Sequence, residues 1–241
     1  HIMLIHGFGG DLNSWMFNQP VLSTAYSVHA FDLPGHGGSG LYVGNGSVPE
    51  LADAVLAVLD SLEISKAHFV GHSLGGAICL FLAIKHSDRV SSTSLVCPGG
   101  LGSEINLNFI DGFISADRRK EMKAVLGELF ADAGAVQRKM IEETLRYKRL
   151  DGVPGALDKI RQANFTDDGQ APGMRDALPA LKVPLQVIWG AEDKIIPAAH
   201  LDDLPAGIET HLIEEAGHMP HMEKAADINR VIGDFVNRVG G

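Results

Sequence analysis

The 241-residue chain holds only two cysteines, and neither has a partner at a spacing that would ligate a metal or mark a small disulfide framework. Cys79 and Cys97 lie inside apolar stretches, which predicts small core residues in a reducing compartment. Aromatic residues make up only 6%, and positive charge is in deficit. Against 30 Asp plus Glu stand 20 Lys plus Arg, a formal net charge of −10. Such a surface repels nucleic acid and anionic lipid, which excludes polyanion binding as the main role. The sequence has no apolar run of about 18 residues, as a membrane-crossing helix requires. Its N-terminus lacks the basic start, apolar run and small-residue cleavage site of a signal peptide. A soluble, cytoplasmic protein that binds neither nucleic acid nor membrane is expected. No nucleotide-binding fingerprint, paired metal-ligand spacing or cofactor lysine stands out, so the chemistry is expected to need no cofactor and no metal in this chain.

What is present is a strand and helix rhythm in a chain that is 45% hydrophobic. Strands are predicted at 2–5, 27–31, 68–70 and 93–96. Helices between them are predicted at 49–62, with one apolar face through Leu51, Val55, Val58, Leu59 and Leu62, and at 74–86, almost wholly apolar. Alternation of this kind argues for an α/β fold with a mostly parallel, doubly wound sheet. The rhythm stops at Cys97-Pro98-Gly99-Gly100 and resumes with a strand at 185–189, then one at 209–213 and a closing helix at 225–239. The intervening stretch is too long for a loop. Residues 1–97 and 181–241 are therefore expected to form the core, and 98–180 a helical cap inserted in it, with helices near 117–130, 135–150 and 154–163. Because Ile2-Met3-Leu4-Ile5 already reads as a buried strand, a segment upstream of residue 1 is expected to be missing, together with any targeting signal it carried.

Chemistry concentrates in three places. Gly71-His72-Ser73-Leu74-Gly75 follows a strand and opens a helix, the context in which G-x-S-x-G becomes a nucleophile elbow. A serine hydroxyl needs a base, and the base needs an acid to orient it. Asp193, in the loop after a strand ending Trp189-Gly190, and His218, in Ala216-Gly217-His218-Met219, follow in the order serine, acid, histidine that accompanies a G-x-S-x-G elbow. Glu192 is the alternative acid and His221 the alternative base, although His221 follows Pro220, where a helix begins, and a solvent-facing or capping role is expected. Asp193 could also cap the helix after Pro197, and His218 could be a hydrogen-bonded loop residue. An oxyanion hole would use the Leu74 amide and a second amide from His6-Gly7-Phe8-Gly9-Gly10, with Phe8 ahead of Gly9. His6 is expected to stabilise that turn, and Asp32-Leu33-Pro34-Gly35-His36-Gly37 to be a rigid turn.

Taken together, the His6–Gly10 turn, the Asp32–Gly37 loop, Gly71–Gly76, Trp189–Pro197 and Ala216–Glu223 resemble the α/β-hydrolase superfamily across the core. Gly7–Trp15, Pro98–Asn106 and Arg146–Val153 further resemble the hydrolase-like domain of acetoin dehydrogenase dihydrolipoamide acetyltransferase components. The superfamily implies a serine hydrolase acting on small-molecule esters or thioesters through an acyl-enzyme. The narrower resemblance implies an acyltransferase to dihydrolipoamide, working with other subunits of a dehydrogenase complex, and a lipoyl group on an upstream domain. The His-x-x-x-Asp-Gly motif of ordinary dihydrolipoyl acyltransferases is not matched, since Tyr147 stands four residues before Asp151. A third possibility is a docking or ligand-sensing module without catalysis. The apolar cap residues Phe109, Ile110, Phe113, Met122, Leu126 and Phe130 are candidates to roof Ser73.

Overall fold

Short apolar runs rich in Ile, Leu and Val become strands, and the longer three-and-four patterns become helices packed on them. The computed structural model describes every residue except Pro172 and Gly241. In chain order the elements are β1 (Ile2–Ile5), α1 (Gln19–Leu22), β2 (Val28–Ala30), α2 (Val48–Ser61), β3 (Ala67–His72), α3 (Leu74–Lys85) and β4 (Val90–Val96). Then follow α4 (Leu107–Ser115), α5 (Arg119–Gly127), α6 (Arg138–Lys148), α7 (Val153–Asn164), β5 (Phe165–Thr166) and β6 (Gly169–Gln170). The chain closes with β7 (Leu185–Gly190), β8 (Glu209–Ile213), α8 (Pro220–Glu223) and α9 (Ala225–Val239).

Six strands form one parallel sheet in the order β2-β1-β3-β4-β7-β8, and β5 and β6 form a separate two-stranded pair. β1 and β7 are buried at every position, as strands covered on both faces must be, whereas the edge strand β8 alternates between half-buried and exposed. The helix α3 is apolar nearly all round because it is enclosed by the sheet and α2. In α9, Ile228, Ile232, Phe235 and Val236 make the buried face of an amphipathic helix.

The chain leaves β1 outward to β2 and then returns to place β3 on the other side of β1. The loops after β1 and β3 therefore diverge around a crevice at the carboxyl ends of the strands, the topological switch point where open α/β sheets bind ligands. The loops after β7 and β8 open on the same edge, because every strand of the sheet runs parallel.

The stretch between β4 and β7 is helical, but its first helix lies where none was expected. α4 runs through Gly112, a residue that reads as punctuation in the sequence. Phe109, Ile110 and Phe113 bury one face of the helix, and Asn106 caps it by accepting the Phe109 amide at 3.1 Å. Burial of those aromatic side chains outweighs the roughly 1 kcal/mol that an interior glycine costs.

Candidate active site

Ser73 sits at the junction of β3 and α3 with φ 54° and ψ −117°, a conformation non-glycine residues rarely adopt. The sharp turn is possible because its surroundings are stripped of side chains. A Cβ at Gly75 would collide with the carbonyls of Ile5 and His6, and one at Gly7 would come within 2.9 Å of His72 Nδ1 and 3.0 Å of Ser73 Cβ. The turn after β1 thus lies directly against the serine.

His218 and Asp193 come together from the loops after β8 and β7. His218 Nδ1 donates to Asp193 Oδ2 at 2.7 Å, with both side chains withdrawn from solvent. A carboxylate can only accept, so Nδ1 carries a proton, and in the neutral imidazole it is Nε2 that has the lone pair. Trp189 Nε1 also donates to Oδ2, at 3.0 Å, while the amides of Ile195 and Ile196 donate to Oδ1 at 2.8 and 3.0 Å. Burial by itself would raise the Asp193 carboxyl, but the charge and hydrogen bond of His218 and the two amides outweigh it and hold the group below its ordinary value. Glu192, the alternative acid, is exposed.

Cys97 packs beside this pair. Its thiol, an Asp193 oxygen and a His218 nitrogen lie within 4.8 Å of one another, as metal ligands would. The carboxylate oxygens are already occupied by Trp189, His218, Ile195 and Ile196, and burial pushes the thiol well above its ordinary value. A protonated thiol and saturated oxygens make a poor ligand set. Both cysteines are free and buried.

The amides of Phe8 and Leu74 donate to no protein acceptor among the described residues, whereas the Gly9 amide donates to His36 Nε2 at 3.1 Å. His36 itself is locked by donating Nδ1 to the Pro34 carbonyl at 3.0 Å. The Asp32–Gly37 loop is therefore a brace as well as a rigid turn, for it fixes the backbone that presents Phe8. His6 acts alongside it, donating Nδ1 to the Gly7 carbonyl at 2.8 Å and accepting the Leu33 amide on Nε2 at 3.0 Å.

His221 corrects an expectation. It is fully buried, with its ring 4.4 Å from Trp15 and 4.6 Å from His72, and neither ring nitrogen has a partner among the described residues. The one-turn helix α8 packs on the Leu12–Trp15 turn and directs His221 inward. A helix start after proline does not reveal which way its second residue faces. It is also not positioned as an alternative base, since His218 and not His221 pairs with the carboxylate.

Two further residues hold His218 in place and carried no distinct sequence signal. His72 donates Nε2 to the His218 carbonyl at 2.7 Å. Glu223 accepts the Gly217 amide at 2.8 Å with one oxygen and the Ala131 amide at 2.8 Å with the other, tying the loop before His218 to the segment after α5. Glu223→Ala should cost about 3 kcal/mol in urea unfolding, since two hydrogen bonds to a charged group are lost. It should also lower kcat, because His218 loses its tether. Destabilisation with kcat unchanged would make Glu223 a structural residue only.

Above Ser73 and His218 lies a cavity of about 440 Å³. Of the six roof candidates, Phe109, Ile110, Phe113 and Leu126 line it, while Met122 and Phe130 are buried in the packing behind. Phe165 from β5 and Met140 from α6 complete that side, and Phe8 and Leu74 form part of the floor. No lysine or arginine lines it among the described residues.

A family model described as the alpha/beta hydrolase fold matches residues 1–225. Over 233 residues the chain is 45% identical to the dihydrolipoyllysine-residue acetyltransferase component of the acetoin cleaving system of Cupriavidus necator, covering 96% of this chain and 62% of that protein. It is 28% identical over 259 residues to a 2-hydroxy-6-oxononadienedioate/2-hydroxy-6-oxononatrienedioate hydrolase of Cupriavidus pinatubonensis, covering 98% and 86%. Its fold superposes on the meta-cleavage product hydrolase of Pseudomonas fluorescens with a TM-score of 0.88 at 23% identity, covering 98% and 90%.

Proposed function

Because the chain belongs to the α/β-hydrolase fold family, we propose that it is a serine enzyme acting on esters or thioesters. In this reading Ser73 is the nucleophile, His218 the base, Asp193 the acid that orients it, and the Phe8 and Leu74 amides the oxyanion donors. Residues 98–180 serve as the cap over the core formed by 1–97 and 181–241. The observation that carries the reading is the 2.7 Å His218–Asp193 bond beside a strained serine that shares a cavity with His218.

In the first half-reaction Ser73 Oγ bonds to the substrate carbonyl carbon and its proton passes to His218 Nε2. The carbonyl oxygen becomes an oxyanion held by two amide donors. Its collapse breaks the bond to the leaving alcohol or thiol, which takes the proton from His218 and leaves an acyl-enzyme. In the second half-reaction water, or a thiol, gives its proton to His218 and takes the acyl group, and the proton passes from His218 to Ser73 Oγ as the acyl bond to it breaks, which restores the serine.

A second reading, transfer to dihydrolipoamide within a multienzyme assembly, is favoured by the name of the 45% identical relative. The chain spans about 62% of that relative's length. A lipoyl group would belong to an upstream domain, and transfer would run through Ser73. The dioate named for the 28% identical relative is not adopted, because its carboxylates would meet no basic side chain on the cavity wall. Free, buried cysteines support a cytoplasmic setting. No helix among the described residues is long and apolar enough to cross a membrane.

The test has two steps. A fluorophosphonate probe should label Ser73 in the native protein, located by peptide mass spectrometry, and absence of labelling would favour a non-catalytic docking or sensing module. Acyl-enzyme generated from an acetyl thioester is then offered water and dihydrolipoamide together. Free acetate supports the hydrolase, and S-acetyldihydrolipoamide the transferase.

A further inference from the structure

We propose that the cavity above Ser73 admits uncharged, apolar acyl groups and rejects acyl groups that carry a carboxylate, so that the substrate is a neutral ester or thioester. This deepens the reading of Ser73 as nucleophile and rests on it.

The charge inventory of the wall points this way. Its charged carboxylates are Asp11 and Glu143, and no lysine or arginine joins them among the described residues. Lys148 packs its ammonium over the Phe113 ring, 5.5 Å from the centroid, but that ammonium donates to the Ala116 carbonyl and the residue does not line the cavity. Glu143 is shared with Lys139 and Arg146 at 3.9 and 3.8 Å, but those exposed cations do not line the cavity. A carboxylate entering from water would therefore lose its hydration, meet no counter-ion on the wall and face the Asp11 carboxylate.

Three polar residues of the wall, Tyr147, Asn164 and Gln170, offer the entering group no refuge either, because the protein already uses them. The Tyr147 hydroxyl donates to the Gly35 carbonyl at 2.6 Å. Asn164 donates to the carbonyls of Gly46 and Ile160 and accepts the Val48 amide. Gln170 accepts the Gly100 amide and donates to the Glu104 carbonyl. Asn13 and Thr144 are neutral, and the rest of the wall is mostly apolar, with Phe8, Phe109, Phe113, Leu126, Phe165 and Met222 as its larger members. At about 440 Å³ the space is of the size that encloses a small organic molecule.

The test compares 4-nitrophenyl hexanoate with the 4-nitrophenyl monoester of adipic acid, which replaces the terminal methyl by a carboxylate. The ratio of kcat/KM is measured in the wild-type protein, and the ratio of Kd by calorimetry in Ser73→Ala. The neutral ester should be favoured by about 100-fold in both, the order of penalty for an unpaired charge in an apolar site. Met140→Lys, which supplies a cation on the wall, should narrow the ratio. A preference below tenfold in the binding measurement overturns the proposal, and loss of adipate binding in Lys148→Met would then identify the counter-ion. If the wild-type protein turns over neither ester while Ser73→Ala binds the neutral one selectively, the cavity's selectivity stands and the nucleophile assignment fails.

Discussion

Ser73→Ala is expected to lower kcat for ester cleavage by about 10⁵- to 10⁶-fold, with His218→Ala close behind and Asp193→Asn near 10⁴-fold. The order follows from what each residue does in the proposed mechanism. Without Ser73 Oγ there is no covalent intermediate, and without the His218 imidazole the hydroxyl keeps its proton. Asparagine at 193 leaves the shape but presents an amide that can donate, so the tautomer with Nδ1 protonated is no longer enforced. The losses should not add, because the three groups act as one unit, and a double variant should be no worse than Ser73→Ala. Steady-state kinetics with burst titration of the acyl-enzyme measures this. Retention of activity within tenfold in Ser73→Ala, or an equal loss in Glu192→Gln and Asp193→Asn, would sink the assignment.

The second large effect concerns acid. His36 and His221 are fully buried, and desolvation lowers each to about 3, with His6 adding to the shift at His36 and His218 to that at His221. Burial also lowers His6 and, further, His72, where His221 and His218 reinforce the effect. The hydrogen bonds agree, since His6 and His36 each accept a backbone amide on Nε2 and must be neutral to do so. A histidine with a depressed folded value binds fewer protons in the folded state than in the unfolded one. Stability is therefore intact above the unfolded value near 6.5 and declines as pH falls from there towards 3. Each such group contributes a slope of about 1.4 kcal/mol per pH unit, so His36 and His221 together remove several kcal/mol by about pH 4, a large share of a typical domain stability.

Acid unfolding followed by circular dichroism should accordingly show a steep transition below pH 6. His221→Phe should shift it to lower pH and reduce the slope by about 1.4 kcal/mol per pH unit without destabilising the protein at pH 7, since its ring nitrogens have no partners to lose. His36→Phe should relieve the same slope but cost about 1–3 kcal/mol at pH 7, because the Gly9 amide is left without an acceptor. An unchanged acid slope in His221→Phe would mean that the imidazole is protonated in the folded state.

Legibility in the sequence followed the range of the interaction. The strands at the heart of the sheet were predicted within a few residues, because a buried parallel strand announces itself as a continuous apolar run. α4 escaped because Gly112 breaks the local pattern, while the burial that stabilises the helix comes from residues far along the chain. The β5 and β6 pair escaped for the same reason, with only two residues in each strand.

The elbow at Ser73 was set by the sequence alone. Gly71, Gly75 and the strand and helix on either side are local features, and chain order singled out Asp193 and His218 as candidates, two side chains that the fold pairs at 2.7 Å. Tertiary structure decided everything that depends on direction. It turned His221 inward against Trp15 and His72, connected His36 to the Gly9 amide and Glu223 to Ala131, and separated Met122 and Phe130 from the cavity wall. It also kept every described lysine and arginine out of that wall, although the cap sequence carries many. Composition counts charges, but only the fold determines which of them face water and which face a substrate.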